Sequence, residues 1–192
     1  MFLDGKISGM KSVLNSISIK ITNRKHCDFS FTGNNIPHLK VRMSKESTLI
    51  LDGGLSVREN VIFQISASGK LHIGRNVFIN DNSAINSRNE IYIGDDTVIG
   101  QNVLIYDHDH NYRDIQHMRD KFVLGKVIIG KNVWIGSNVV ILKNSVIGDN
   151  SVIGAGSLVN GVVPENSIFY NKRFSECKII ERGVIACQEG EN

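Results

Sequence analysis

The segment from residue 129 to residue 159 repeats every six residues, and this period constrains the fold more than any other feature of the chain. Written in sixes, it reads IGKNVW, IGSNVV, ILKNSV, IGDNSV and IGAGSL, and Val159 begins a further six. The first position is isoleucine in all five units, and the fourth is asparagine in four of them and Gly156 in the fifth. A fixed internal period of this kind indicates an array of stacked structural units.

The residue types in this period favour short strands separated by corners. Asparagine and glycine enter the left-handed backbone region most readily, so one at every sixth residue predicts a sharp corner at regular intervals. A helix is disfavoured because Gly and Asn in its interior lower its stability. Short strands satisfy the pattern if their branched aliphatic side chains point inwards and each coil bonds to the next through its backbone. The sequence therefore predicts an all-β fold, a parallel β-helix.

The sixfold order begins near Leu51 and changes phase twice. After a slip of four residues a second phase begins at Ile73, and after a slip of two residues the first phase returns at Ile93. Each slip is expected to bulge at a corner, where extra residues leave the core undisturbed. The predicted corners in this part of the chain include Gly54, Asn60, Asn76 and Asn82.

Three parts of the chain are predicted from where the repeats begin and end. They are an N-terminal cap (residues 1–48), the repeat region (residues 49–165) and a C-terminal tail (residues 166–192). Atypical ends are expected because a repeat array must cover its exposed core. Within these ends we expect a helix over residues 2–14, strands over 14–21 and 27–31, a turn at 33–35, short elements at 168–170 and 178–180, and fraying of the final QEGEN.

Composition excludes several classes of protein. With 41% hydrophobic residues the chain is not disordered, and its formal charge of +3 permits an anionic ligand without forming a nucleic-acid footprint. The three cysteines, Cys27, Cys177 and Cys187, lack metal-binding spacing and predict a reduced, cytoplasmic protein. The N-terminus lacks an apolar signal-peptide core, and no run approaches the roughly 20 apolar residues of a membrane span. We therefore expect a soluble protein.

Residues 106–126 interrupt the repeat. The segment YDHDHNYRDIQHMRDKFVLG is rich in charge and holds three of the six histidines. The repeat resumes in phase, since Ile105 and Ile129 are four sixes apart, so the segment is an excursion from one coil and not a domain boundary. A loop of about 20 residues inside a compact array is usually functional or disordered.

The segments VIIGKNVWIGSNVVI and IGAGSLV, the latter followed by Pro164, resemble the hexapeptide-repeat acyltransferases. They are most similar to sugar O-acetyltransferases, including galactoside acetyltransferase and the enzymes that acetylate bacterial capsule or O-antigen sugars. The resemblance covers roughly residues 51–164. It implies a left-handed parallel β-helix with triangular coils, a homotrimer, acetyl-CoA as cosubstrate and a saccharide acceptor in polysaccharide biosynthesis. The left hand comes from the resemblance alone and is opposite to the usual right-handed crossover.

The resemblance also implies a catalytic histidine. His110 precedes Trp134 by 24 residues, the spacing that separates the catalytic histidine from the tryptophan of VWIG in these enzymes. A sugar hydroxyl is a weak nucleophile at neutral pH, and histidine is an efficient general base for it. We therefore predict His110 as the base, with His108 as the alternative; that neither is catalytic also stays open. Asp107 and Asp109 are candidates to orient the imidazole.

For acetyl-CoA the resemblance implies a groove along the β-helix between two subunits. Trp134 and Ser137 match positions near the thioester, where the backbone N–H of Ser137 would face the developing oxyanion. Ala155 matches a contact along the pantetheine arm, where a small side chain lets the ligand approach. Asn160 stands where the family often has threonine.

The match is loosest at the coenzyme phosphates. The lysine that often follows GAGS in the family is missing here, where the sequence continues Leu-Val-Asn-Gly. Lys172 and Arg173 are the basic residues nearest to the family's later coenzyme segment, and either is a candidate for these contacts.

Three other interpretations stay open. His108, His110 and His117 could together ligate zinc, as histidines do in γ-type carbonic anhydrases of this fold, although we expect no metal requirement because these histidines lie within one loop. An N-acetyltransferase for a nucleotide-linked amino sugar would share the repeats, and so would a non-catalytic β-helix scaffold. The sequence does not identify the acceptor sugar or its hydroxyl.

Overall fold

The computed structural model describes residues 11–15, 18, 27–29 and 33–172, and nearly all of the regular structure in them is strand. The strands are β1 (Cys27–Phe29), β2 (Lys40–Met43), β3 (Thr48–Leu51), β4 (Ser56–Val57), β5 (Ile62–Ile65), β6 (Lys70–Ile73), β7 (Phe78–Ile79), β8 (Ala84–Ser87), β9 (Glu90–Ile93), β10 (Val98–Ile99), β11 (Leu104–Tyr106), β12 (His108–His110), β13 (Phe122–Leu124), β14 (Lys126–Ile129), β15 (Trp134–Ile135), β16 (Val140–Ile141), β17 (Ser145–Ile147), β18 (Val152–Ile153), β19 (Leu158–Val159), β20 (Val162–Val163) and β21 (Ile168–Phe169).

Three parallel sheets form the sides of a β-helix. The first sheet has the order β1-β3-β6-β9-β14-β17-β20, the second β4-β7-β10-β15-β18-β21, and the third β2-β5-β8-β11-β16-β19. From β2 onward, and apart from the β12–β13 pair, successive strands visit the three sheets in turn, so each coil has three sides. The predicted all-β parallel β-helix is confirmed.

The core consists of aliphatic ladders. On the first sheet the inward column runs through Leu51, Ile73, Ile93, Ile129, Ile147 and Val163, each at most 2% exposed. Burying one such side chain stabilises the fold by roughly 1.5–3 kcal/mol relative to leaving it exposed. The repeated isoleucine is therefore the residue that holds successive coils together.

The corners adopt the left-handed backbone that the repeat predicts. Positive φ angles occur at Asn60, Asn76, Asn82, Asp96, Asn102, Asn132, Asn138, Asn144, Asn150, Asn166, Gly54 and Gly156. Corner side chains also bond between coils, as when the Asn102 amide donates to Asn138 at 3.2 Å. The extra residues of the first phase slip form a turn at 66–69, where Ala67 has a φ of +54°.

The described N-terminal residues agree with the sequence expectations in part: β1 lies within the strand predicted over 27–31, and the helical residues 11–14 lie within the helix predicted over 2–14. Strands β1 and β2 pair with β3 and β5, so the ladders begin ahead of residue 49. The predicted strand over 14–21 is wrong where it is described, because residues 11–15 and 18 are helical. This helical turn lies against the first coil: the Ser12 hydroxyl accepts from Ile36 N, and the Asn15 amide donates to the Ile36 and Leu39 carbonyls.

At the other end, β21 lies within the short element predicted at 168–170. The expectations for residues 2–10, 178–180 and the final QEGEN fall outside the described residues. Among the residues that the structure describes, no helix is long and apolar enough to span a membrane.

Candidate active site

The excursion from the repeat is a β-hairpin that projects from one corner of the β-helix. Strands β12 and β13 pair antiparallel, with His110 opposite Phe122. The hairpin leaves the third sheet after β11 and returns to the first sheet at β14, which pairs with β9 and β17 in unbroken register. The inserted residues therefore replace a corner without disturbing the ladders on either side.

Asp107 anchors the base of the hairpin. Its side chain is fully buried and accepts hydrogen bonds from Arg88 N, Asn89 N, the Ser87 hydroxyl and His108 Nδ1, all at 2.8 Å. Burial by itself raises the pKa of this carboxyl, but the bonds from His108, the two backbone amides and Ser87 together outweigh it and hold the pKa below its ordinary value.

The two histidines of β12 have different partners. His108 is largely buried: its Nδ1 contacts Asp107, and its ring makes an edge contact with Phe122 at 5.4 Å. His110 is exposed, and its Nδ1 lies 2.8 Å from the carbonyl oxygen of Met118. A carbonyl oxygen only accepts, so Nδ1 of His110 carries the hydrogen, and in the neutral ring Nε2 carries the lone pair.

Asp109 does not orient either imidazole. Neighbouring residues in a strand point to opposite faces, so the Asp109 side chain leaves the face that carries His108 and His110. Its carboxylate pairs instead with Lys143 Nζ at 3.2 Å, and both residues, together with His110, line a cavity of about 260 Å³. The predicted orienting role of Asp109 is therefore not supported by this geometry.

The three histidines of the hairpin do not converge. His117 pairs with Asp114 at 3.0 Å near the hairpin tip, whereas His108 contacts Asp107 and His110 contacts the Met118 carbonyl. Among the described residues, no group of three His, Cys, Asp or Glu side chains is arranged to hold a metal ion.

Phe122 and Arg88 also belong to this site, although the sequence did not single them out. The Arg88 guanidinium carbon lies 3.5 Å from the centre of the Phe122 ring, and the His110 ring centre lies 4.5 Å from it. The two residues are 34 positions apart, and the phase slip at residues 88–89 brings Arg88 to the corner under the hairpin. No local sequence signal identifies this contact.

The residues matched to acetyl-CoA lie mainly at a different corner, between the second and third sheets. Trp134 is 57% exposed on the outer face of the second sheet, where it pairs with Val98 and Val152. Ser137 and the exposed Ala155 follow at the corner on neighbouring coils. A groove along this edge would be lined by small residues.

The Ser137 backbone N–H differs from its counterparts at the corner between the first and second sheets. There, Arg75 N and Lys131 N donate to the carboxylates of Asp95 and Asp149 on the following coil. On the coil that follows Ser137, the corresponding residue is Ala155, which has no acceptor in its side chain. On the following coil, the residue at this position therefore offers no carboxylate to compete with a ligand for the Ser137 N–H, whereas Glu59 N at the same corner donates to the Asp81 carboxylate.

The remaining predicted contacts lie near the C-terminal end of the β-helix. Asn160 and Lys172 are both exposed, Asn160 at the corner after β19 and Lys172 after β21. Arg173 falls outside the described residues.

Residues 126–161 match the family model of the bacterial transferase hexapeptide (six repeats). The chain is similar to the maltose O-acetyltransferase of Clostridium difficile 630, with 34% identity, a TM-score of 0.54 and 67% of each chain aligned. It is also similar to galactoside acetyltransferase in complex with coenzyme A, with 32% identity and a TM-score of 0.51, over 68% of this chain and 58% of that chain.

A hexapeptide-repeat acetyltransferase from Vibrio cholerae, complexed with acetyl coenzyme A, aligns at 26% identity with a TM-score of 0.47. That alignment covers 67% of this chain and 64% of the Vibrio chain, so the present chain spans a little under two thirds of its length. No curated protein sequence matches the chain significantly.

Proposed function

Because the chain belongs to the bacterial hexapeptide-repeat transferases, we propose that it transfers an acetyl group from acetyl-CoA to a sugar hydroxyl. The observation that carries this proposal is the hydrogen bond from His110 Nδ1 to the Met118 carbonyl. It presents Nε2 as a proton acceptor on an exposed face of the hairpin. The solved relatives named above, a maltose and a galactoside acetyltransferase, support acetyl transfer to a sugar.

In this mechanism His110 is the general base. Its Nε2 takes the proton as the sugar oxygen bonds to the thioester carbonyl carbon. The Met118 carbonyl fixes the ring orientation and stabilises the imidazolium that forms. When the carbon–sulfur bond breaks, the imidazolium returns the proton to the departing CoA thiolate. The net result is an acetyl ester and CoA thiol, with atoms and charge in balance.

Ser137 would stabilise the charge on the carbonyl oxygen. A backbone N–H held rigidly at a corner needs no reorganisation during the reaction, which is what makes such donors effective. Ala155 supports the same assignment, because a small exposed residue lets a pantetheine arm lie close to the coils.

The separation between the hairpin that carries His110 and the backbone N–H of Ser137 supports a site shared by two chains. The hairpin leaves at the corner near Lys143, and Ser137 lies at the preceding corner, six residues earlier. At about 3.3 Å per residue, one side of the coil separates these corners by nearly 20 Å. The hairpin and Ser137 thus belong to different corners of one chain, and we propose that a neighbouring copy in a homotrimer supplies one of the two groups to a shared site. Roles in polysaccharide biosynthesis and a cytoplasmic location remain part of this proposal.

The experiment is a thiol-release assay with acetyl-CoA, run with a panel of saccharide acceptors and their amino-sugar counterparts. His110→Ala is expected to lower kcat by about 10²–10⁴, the usual contribution of a positioned general base, with coenzyme A binding retained. His117→Ala is the matched control, since it removes an exposed imidazole from the same hairpin.

Other outcomes would overturn specific parts of the proposal. Normal turnover by His110→Ala would exclude His110 as the base, and loss of activity only in His108→Ala would transfer the role to that residue. Inhibition by a chelator would indicate a metal in the hairpin. Acetylation of amino sugars alone would show that the protein is an N-acetyltransferase.

A further inference from the structure

The hairpin face that carries His110 also carries a fixed positive charge. Both the Arg88 guanidinium and the His110 imidazole lie against the Phe122 ring, at 3.5 and 4.5 Å from its centre. These two distances limit the separation of the guanidinium carbon and the imidazole centre to about 8 Å. A ligand group a few bonds from the reacting hydroxyl would therefore reach the guanidinium.

Arg88 is held in place from two directions. Its backbone N–H donates to the buried Asp107 carboxylate, and its half-buried side chain lies over the Phe122 ring. A cation over an aromatic face is attracted by about 0.5–2 kcal/mol and so is restrained before a ligand arrives. Stacking uses the flat face of the guanidinium and leaves its N–H edge available as a planar fork of donors.

The charge of Arg88 has no ion-pair partner in the described part of the chain. The arginine and lysine side chains that form ion pairs with carboxylates there are Arg75 and four lysines, at positions 121, 126, 131 and 143. The Asp107 carboxylate accepts its hydrogen bonds from the backbone N–H of Arg88, and these bonds do not involve the guanidinium. A half-buried cation without a carboxylate partner attracts an anion more strongly than a paired surface residue does.

The anion beside His110 is not expected to come from coenzyme A. The thioester must lie at the base for the reaction to occur, and the coenzyme phosphates are at the far end of the extended pantetheine arm. An anionic group within about 8 Å of His110 therefore belongs to the acceptor.

We propose that Arg88 recognises an anionic group, a carboxylate or a phosphate, on the acceptor sugar close to the hydroxyl that is acetylated. This inference rests on the proposed acetyltransferase function and specifies its substrate class as acidic saccharides. Arginine suits this role because its fork matches both anions with two parallel hydrogen bonds.

The test compares matched acidic and neutral acceptors. Methyl glucuronide and methyl glucoside differ in a single carboxylate, and so do methyl galacturonide and methyl galactoside; glucose phosphate provides the phosphate arm. The wild-type protein is expected to prefer the acidic member by about 10- to 100-fold in kcat/KM, the size of one charge-assisted recognition contact.

Arg88→Met is the diagnostic variant, because methionine keeps an unbranched chain over Phe122 and removes the charge. It is expected to abolish the acidic preference, so that acidic and neutral acceptors give the same kcat/KM, while the KM for acetyl-CoA stays within about twofold. Arg75→Met, which removes an arginine from a different corner, is the control and should retain the preference. Equal use of acidic and neutral sugars by the wild type, or an acidic preference that survives in Arg88→Met, would overturn the inference.

Binding without turnover gives an independent measurement. Saturation-transfer NMR with methyl glucuronide, methyl galacturonide and glucose phosphate should show contact with the wild type for one of these anions and none with Arg88→Met. Equal signals from both proteins, or none from the wild type, would refute the inference. If an acidic sugar binds through Arg88 but no acceptor is acetylated, the proposed function fails instead. Acetylation without a preference for acidic acceptors would be consistent with the proposed acetyltransferase function and would refute anion recognition by Arg88.

Discussion

Replacing Asp107 with asparagine tests whether the hairpin depends on a buried charge. The substitution keeps the shape of the side chain but exchanges one acceptor oxygen for a donor NH₂ group. In the wild type both oxygens accept: Oδ1 from Arg88 N and His108 Nδ1, and Oδ2 from Asn89 N and the Ser87 hydroxyl. In either orientation, the new amide therefore faces at least one buried donor.

The expected cost follows from those contacts. A buried donor left without an acceptor costs about 1–3 kcal/mol, and losing the charge also weakens the bonds that remain. We expect Asp107→Asn to lower the free energy of unfolding by about 2–4 kcal/mol. For a chain of this length, that corresponds to a fall in Tm of roughly 5–15 °C. Asp149→Asn is the matched control, because Asp149 is exposed and accepts a single backbone bond, from Lys131 N.

The stability difference between the wild type and Asp107→Asn is expected to depend on pH in a definite direction. The folded-state pKa of Asp107 is lowered, so its contribution to stability is fully present above the ordinary aspartate pKa of about 3.9 and is lost as the pH falls through the lower folded value. Urea unfolding should show the full difference between wild type and Asp107→Asn at neutral pH and a shrinking difference in acid. Equal stability at neutral pH, or a difference that does not change with pH, would refute the role assigned to this carboxylate.

Two further predictions concern the β-helix and its assembly. Asn138 has a φ of +58°, so Asn138→Val should lower the free energy of unfolding by roughly 1–2 kcal/mol, which denaturant unfolding against Asn138→Gly would measure; equal stability of the two variants would contradict this. Light scattering should give a trimer of the 21.3 kDa chain at micromolar concentration, and a monomer would exclude the shared site.

The β-helix could be predicted because its information is local and repeated. Each six-residue unit contains its own inward-facing aliphatic residue and its own corner residue. Many individually weak sequence signals therefore indicate the same architecture. The N-terminal end was harder to predict. Leu14 belongs to a stretch whose apolar residues alternate, yet it lies in a helical turn, because the tertiary contacts of Ser12 and Asn15 with the first coil override that weak local pattern.

The site was less predictable than the fold because its contacts join distant residues. The spacing of His110 from Trp134 identified a candidate base, but the Met118 carbonyl that selects its tautomer depends on how the hairpin closes. Asp109 is adjacent to both histidines in sequence and points away from them in the strand. Arg88 reaches the hairpin only because two coils stack in the observed register.

The hairpin is inserted at a corner, so its sequence can change during evolution without altering the ladders that maintain the fold. Glu90 pairs with Lys126 as directly as any neighbours in the ladder, although the hairpin lies between them in the chain. Because loop-closure entropy grows only slowly with length, hairpins of other lengths could be accommodated at this corner at little cost to the coils. Mutations, insertions or grafts in the hairpin can thus vary the candidate site, while the aliphatic ladders of the repeats stay unchanged.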